Sequence, residues 1–226
     1  MRPSARSGAS RLPNASPSGS AAAPPRPEAG PGWRFFRSLA AAETVPTLTG
    51  DGVKLRTPQM ADYPAWSQLR EESRAFLQPW EPTWPADDVS RLAFRKRLKR
   101  YVRELESDQA YPFFVFRADG ALVGGVTVSQ IRRGVSQTCS LGYWMGAGHA
   151  GRGHMSAAVK ALAPFVFQTL KLRRVEAACL PHNQASIRLL EKSGFKREGY
   201  AREYLCIDGR WQDHLLYALL RSDGVS

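Results

Sequence analysis

The chain has 226 residues, 43% hydrophobic and 23% charged, enough for one ordinary domain with a true core and a further segment besides. Its 32 Lys and Arg against 20 Asp and Glu leave a formal charge of +12. The three cysteines, Cys139, Cys179 and Cys206, stand singly with no CxxC pair, which argues against a disulfide framework or a zinc site and for a reducing, cytoplasmic compartment. No apolar run reaches the roughly 18 residues of a membrane span, so no membrane partner is expected.

Residues 1–32 are dominated by Pro, Ala and Ser, with Arg2, Arg6, Arg11 and Arg26 facing one acid, Glu28. They hold too little apolar bulk to offset ordering entropy, and the sequence predicts a disordered extension. Their prolines spoil the amphipathic helix of an organelle transit peptide, and a secretory apolar region is missing. Most of the basic excess therefore lies beyond them, in the folded part. It points to a polyanion such as nucleic acid or a ribosome, with a merely solvated basic surface as the plain alternative.

A domain is expected over 48–222. Val53-Lys54-Leu55-Arg56 alternates as a short strand, and a helix follows near Ala61–Ser73. Asp87 or Asp88 can cap the next helix, where Phe94, Leu98, Tyr101, Val102 and Leu105 recur at helical spacing. Its other face carries Arg91, Arg95, Lys96, Arg97, Lys99, Arg100 and Arg103. Over 88–106 a ribosome or rRNA contact and plain solvation stand side by side. Strands Phe113–Arg117, Leu122–Ser129 and Thr138–Met145 are separated by turns at Asp119-Gly120 and Arg133-Gly134. After a glycine-rich loop, Met155, Ala158, Val159, Leu162, Phe165, Val166 and Leu170 trace one helix face, which Pro164 should kink. Arg174–Leu180 reads as a strand, Asn183 caps a helix ending at Gly194, and Asp208-Gly209 turns a last hairpin. The fold class is α/β (α+β), a mixed and mostly antiparallel sheet flanked by helices.

The loop carries Gly146, Gly148, Gly151 and Gly153 between a strand and a helix. Free N–H groups and the positive end of a helix dipole make such a turn an anion site, suited to a pyrophosphate. Gly146, Gly148 and Gly151 formally satisfy GxGxxG. The next strand, however, ends in Leu180-Pro181-His182-Asn183 without the acid that holds a ribose in a dinucleotide fold. A P-loop needs Lys-Ser/Thr where Arg152-Gly153 stands. His149 and His154 have no acidic ligand beside them, so no metal is expected.

Gly151-Arg152-Gly153 at the head of an amphipathic helix resembles motif A of the GNAT acyltransferases, which bind acetyl-CoA. The run Asn183 to Phe195, with Asn183, Ser186, Gly194 and Phe195 at its key positions, resembles the NxxS…GF segment of the RimJ/RimL branch, the ribosomal-protein N-terminal acetyltransferases. Arg202-Glu203-Tyr204-Leu205, Asp208 to His214 and Phe76-Leu77-Gln78-Pro79-Trp80 are similar to that branch too, so the likeness covers about Leu48 to Arg221. Two departures stand out: Gly148 replaces a common Gln or Arg, and Leu190 sits where many members carry a general-acid Tyr.

The resemblance implies a GNAT fold and acetyl-CoA as co-substrate. It places Gly151, Arg152, Gly153, His154 and Met155 around the pyrophosphate, with Asn183 and the backbone of Trp144 and Met145 along the pantetheine arm. Ser186 would sit at the cofactor and donate a proton, and Glu203 would be the base; Tyr200 and Tyr204 are reserves. A protein α-amine, at pKa about 7.7–8.0, asks far less of that base than a lysine amine at about 10.4. The implied activity is acetylation of the N-terminal α-amine, an alanine, of a ribosomal protein by a monomer or weak dimer. The rivals are a GNAT enzyme for another protein or a small amine, and a CoA-binding ribosome-assembly factor without turnover.

Overall fold

The computed structural model describes residues 45–224; the extension expected over 1–32 lies outside them. Within the described residues one sheet of eight strands runs in the order β1 (Leu48–Gly50), β2 (Val53–Arg56), β3 (Tyr111–Arg117), β4 (Leu122–Arg132), β5 (Thr138–Met145), β6 (Arg174–Cys179), β8 (Arg210–Leu220), β7 (Lys196–Ile207). Neighbours are antiparallel except β5 and β6, which run parallel. The helices are α1 (Tyr63–Glu72), the single turn α2 (Arg74–Leu77), α3 (Arg91–Glu106), α4 (His154–Pro164) and α5 (Gln184–Lys192).

Strand alternation divides the apolar residues between two cores. In β3, Phe113 and Val115 join the larger cluster, built with Ala158, Val159 and Leu162 of α4, while Phe114 turns to the smaller one. There it meets Trp66 of α1 and Phe94 of α3. The helix α4 and the basic helix α3 therefore cover opposite faces of the sheet. In α3 the apolar stripe is turned inward and Arg91, Arg95, Lys96, Lys99, Arg100 and Arg103 are exposed. Arg97 instead pairs with Asp88 at 2.9 Å and lies over Trp66.

Three local readings change. Neither Asp87 nor Asp88 caps α3: Ser90 does, its hydroxyl accepting the Ala93 N–H at 3.1 Å. Asp88 is occupied by Arg97, and Arg70 lies 3.8 Å away, which draws it out of the cap position. Pro164 ends the α-pattern, and the chain continues as a π-helix over Phe165–Thr169, with the Leu170 N–H bonded to the Phe165 carbonyl at 2.9 Å. Having no N–H, Pro164 cannot satisfy the carbonyl one turn back, and the wider spacing absorbs the break. The edge strand β1 is also new; three residues ending in glycine give too short a pattern to read.

Candidate active site

The site begins where β5 and β6 part. Their ladder pairs Thr138 with Arg174, Cys139 with Val175 and Ser140 with Glu176, and goes no further. Beyond Ser140, β5 stays bonded to β4 as far as Met145 opposite Gly124, so only its other edge is open. Two glycines permit that geometry. A Cβ on Gly125 would lie 2.4 Å from the Trp144 indole nitrogen, and one on Gly124 2.4 Å from the Trp144 carbonyl. The Trp144 ring thus lies across β4 towards Phe114 and Arg70, and its backbone faces the gap.

The gap widens into a cleft of roughly 730 Å³, lined by Tyr143, Trp144 and Met145, residues His149 to Ser156, and Asn183, Ser186, Arg188 and Lys192 of the α5 region. At its floor the glycine loop makes a short 3-10 turn, Ala147–His149, then places Gly151 at φ 73° and Gly153 at φ 84°. Gly153 is the N-cap of α4 and offers no capping side chain. The first-turn N–H groups of α4, together with the dipole, are consequently available to an anion in the cleft. A Cβ on Gly148, Gly151 or Gly153 would meet nothing within 4 Å. Gly151 and Gly153 serve the left-handed backbone, and all three glycines leave space above the loop. Gly146 is different: a Cβ there would strike Leu69 at 2.4 Å. The loop is fastened at this point by the Ala147 N–H, bonded to the Ser73 hydroxyl at 2.9 Å. Burial, with Arg117 and Arg152 nearby, holds His149 below the ordinary histidine value.

Across the cleft Asn183 caps α5, its side-chain oxygen accepting the Ser186 N–H at 3.0 Å. The structure thus brings together Trp144, Met145, Gly151, Arg152, Gly153, His154, Met155, Asn183 and Ser186. Glu203 is not among the lining residues. It stands exposed on a bulge of β7, five residues before Asp208 at the hairpin tip. The carboxylates lining the cleft are Glu81 and Glu191.

Sequence reasoning gave Glu81 no role. Arg70 grips its two oxygens at 2.8 and 2.7 Å, and the Trp84 indole N–H donates to it at 2.7 Å. Arg70, almost wholly buried, stacks 3.9 Å from the Trp84 ring centre. The hairpin tip docks on the same segment: the Asp208 N–H donates to the Glu81 carbonyl at 2.9 Å, and the Gln78 amide to Asp208 at 3.2 Å. Trp80 reaches the other wall, its ring 5.4 Å from that of His182. Segment 78–81 therefore roofs one end of the cleft. Arg188 and Lys192, also missed as lining cations, did carry a signal, since with Ala185 they recur at helical spacing on one face of α5.

This architecture has known counterparts. The chain matches the acetyltransferase (GNAT) domain family over residues 53–196, and it belongs to that family. Within it, the chain is an acyltransferase of the RimJ/RimL N-acetyltransferase type. It is 37% identical to the Bacillus subtilis protein named "Probable N-acetyltransferase YjcK", over 78% of this chain and 98% of that one. It is 36% identical to the [Ribosomal protein uS5]-alanine N-acetyltransferase of Escherichia coli, over 78% and 91%. Among solved structures, Mycobacterium smegmatis RimJ in complex with CoA-disulfide superposes with a TM-score of 0.74 at 30% identity, covering 79% of this chain and 87% of that one.

Proposed function

We propose that the protein transfers the acetyl group of acetyl-CoA to the α-amine of an N-terminal alanine on a ribosomal protein. The observation that carries this reading is the uncapped N-terminus of α4 at the base of a cleft opened by two diverging strands. Gly151, Arg152, Gly153, His154 and Met155 hold the diphosphate on main-chain N–H groups. The open backbone edge at Trp144 and Met145 bonds the extended pantetheine arm as a missing strand would, and Asn183 lies beside it. The alanine acceptor rests on the activity named for the Escherichia coli relative.

In the reaction Glu203 takes a proton from the α-ammonium, the free amine attacks the thioester carbonyl, and a backbone N–H of β5 steadies the oxyanion. The C–S bond then breaks and Ser186 protonates the leaving sulfur. The hairpin that carries Glu203 is fastened at its tip to Glu81, which lines the cleft, and this supports giving Glu203 the acceptor end. The basic face of α3, on the sheet face away from α4, supplies an rRNA contact that leaves the cleft free.

The test is intact mass analysis of ribosomal proteins from cells with and without the gene product, followed by assay of the purified enzyme on peptides. A lost acetyl group on an alanine-initiated protein, restored by the wild type and not by Glu203→Gln, is the expected result. Acetylation of small amines but of no alanine-initiated peptide would defeat the acceptor assignment.

A further inference from the structure

We propose that Glu81 captures the acceptor: its carboxylate, held still by Arg70 and Trp84, accepts a hydrogen bond from the α-ammonium of the incoming chain. The proposal rests on the acetyl-transfer reading above and adds to it the group that recognises the positive charge of a protein N-terminus.

Glu81 is fixed through both its side chain and its main chain. Arg70 donates to Oε1 at 2.8 Å and to Oε2 at 2.7 Å, and the Trp84 indole N–H donates to Oε2 at 2.7 Å. The Glu81 carbonyl accepts the Asp208 N–H at 2.9 Å, and the Gln78 amide ties the Asp208 side chain to the same segment at 3.2 Å. These partners come from α1, from the segment around Glu81 itself and from the β7–β8 hairpin. A paired guanidinium and an indole hold the carboxylate in one orientation, so it is a preset contact rather than a loose surface charge.

The ion pair is asymmetric. Arg70 lies against the Trp84 and Trp144 rings with its side chain 6% exposed, whereas that of Glu81 is 21% exposed and the residue lines the cleft. The cation is thus the inner member and the anion the outer one. A carboxylate has about four acceptor sites. Among the described residues Oε2 takes two donors and Oε1 takes one, which leaves a lone pair of Oε1 for a guest. Phe76, Leu77 and Trp80 bring apolar surface to the cleft from the same stretch of chain, where water screens an ion pair less. The other lining carboxylate is differently placed: Glu191 is exposed at the end of α5 beside Lys192, and accepts the Tyr217 hydroxyl at 3.3 Å.

An α-ammonium has three N–H groups. One bonds to Glu81, and Glu203 removes the proton of another as the reaction begins; Glu81 itself takes no proton. The nitrogen is positive as it binds and becomes positive again as it bonds to the carbonyl carbon. Glu81 therefore favours the bound ammonium and the transition state alike, and a contact of that kind lowers the acceptor's KM while leaving kcat in place.

The test compares two ligands on the enzyme saturated with CoA, which has no acetyl group to transfer. One is an alanine-initiated peptide, and the other is the same peptide with a hydroxyl in place of the α-amine. By calorimetry at pH 7, where most of the amine is protonated, the wild type should bind the amine form about tenfold more tightly. Glu81→Gln should bind the two forms within about twofold of each other and keep its affinity for CoA, and Glu191→Gln should retain the preference. In turnover, Glu81→Gln should raise the peptide KM about tenfold and alter kcat less than about threefold. A wild type without the preference, a preference kept in Glu81→Gln or lost in Glu191→Gln, or an effect confined to kcat overturns the proposal. The wild-type comparison decides even where Glu81→Gln does not fold. Failure of the wild type to acetylate any amine would count against the proposed function instead.

Discussion

Asp213 holds Glu203 by its backbone: one carboxylate oxygen accepts the Glu203 N–H at 2.8 Å, and the other accepts the Tyr200 hydroxyl. The register explains why this is needed. Ala201 pairs with His214 and Leu205 with Gln212, so three residues of β7 face Asp213 alone. Glu203, in the middle, sits at φ 45°, a left-handed conformation that a side-chain-bearing residue holds only when its surroundings insist. The Tyr200 hydroxyl, then the Glu203 N–H, keep the Asp213 carboxyl below its usual range and charged. Asp213→Ala should let the bulge relax and lower kcat about tenfold, whereas Asp213→Asn, which keeps an oxygen for the Glu203 N–H, should retain most of it. Equal losses in the two variants would remove the bulge from the mechanism.

Gly153→Ala separates backbone strain from packing. Its Cβ meets nothing, but φ stays at 84°, so strain of about 1–2 kcal/mol falls on the loop conformation that presents the helix N-terminus. Calorimetry should show CoA binding weakened about tenfold. Gly146→Ala, which strikes Leu69, should instead lower the melting temperature.

Arg70 is the most committed cation of the fold: buried, doubly bonded to Glu81, and stacked on Trp84. Arg70→Ala strips the half-buried Glu81 carboxylate of its paired donors, leaving it the Trp84 N–H, and should cost about 3 kcal/mol in urea unfolding. Arg70→Lys loses the paired donors and should recover little of it.

Charge reversal at Arg95, Lys99 and Arg103 is expected to weaken association with ribosomes and to flatten its salt dependence. Each phosphate contact removed takes about 0.7–0.9 from the log–log slope. CoA affinity, read on the opposite sheet face, should not change. A slope identical to that of the wild type would leave α3 as ordinary solvated surface.

Acid should act through Asp108, which Arg133 and then Tyr111 hold below the usual carboxylate range. Because the folded value is the lower one, this stabilisation is complete above the unfolded pKa of about 3.9 and fades as pH falls through the folded value. Asp108→Asn should therefore melt below the wild type at pH 7. The gap between the two melting curves should close at acid pH.

Much of the fold is legible from local pattern. The alternation of Phe113 and Val115, the Asn183 cap and the turns at Gly120, Gly194 and Gly209 each act over a few residues, and each is found where those residues direct. What escaped depends on distance. Nothing within Leu141–Met145 says that β5 loses one neighbour after Ser140, since that depends on where β6 is pulled by β8. Glu81 acquires its place from Arg70 and from Asp208 at the far end of the chain. Asp88 looked like a cap because the Arg70 and Arg97 that claim it come from other turns of the fold.

The short parallel ladder between β5 and β6 has a mechanical meaning. Among the described residues, three residue pairs join strands β1–β5 to strands β6–β8 within the sheet, so the two halves form leaves on a narrow spine. A guest that bonds along the open edge lengthens that spine, and occupancy should then be felt as stiffness in β7 and β8 as much as in the loop it touches. Substrate would thus complete the scaffold before it is consumed.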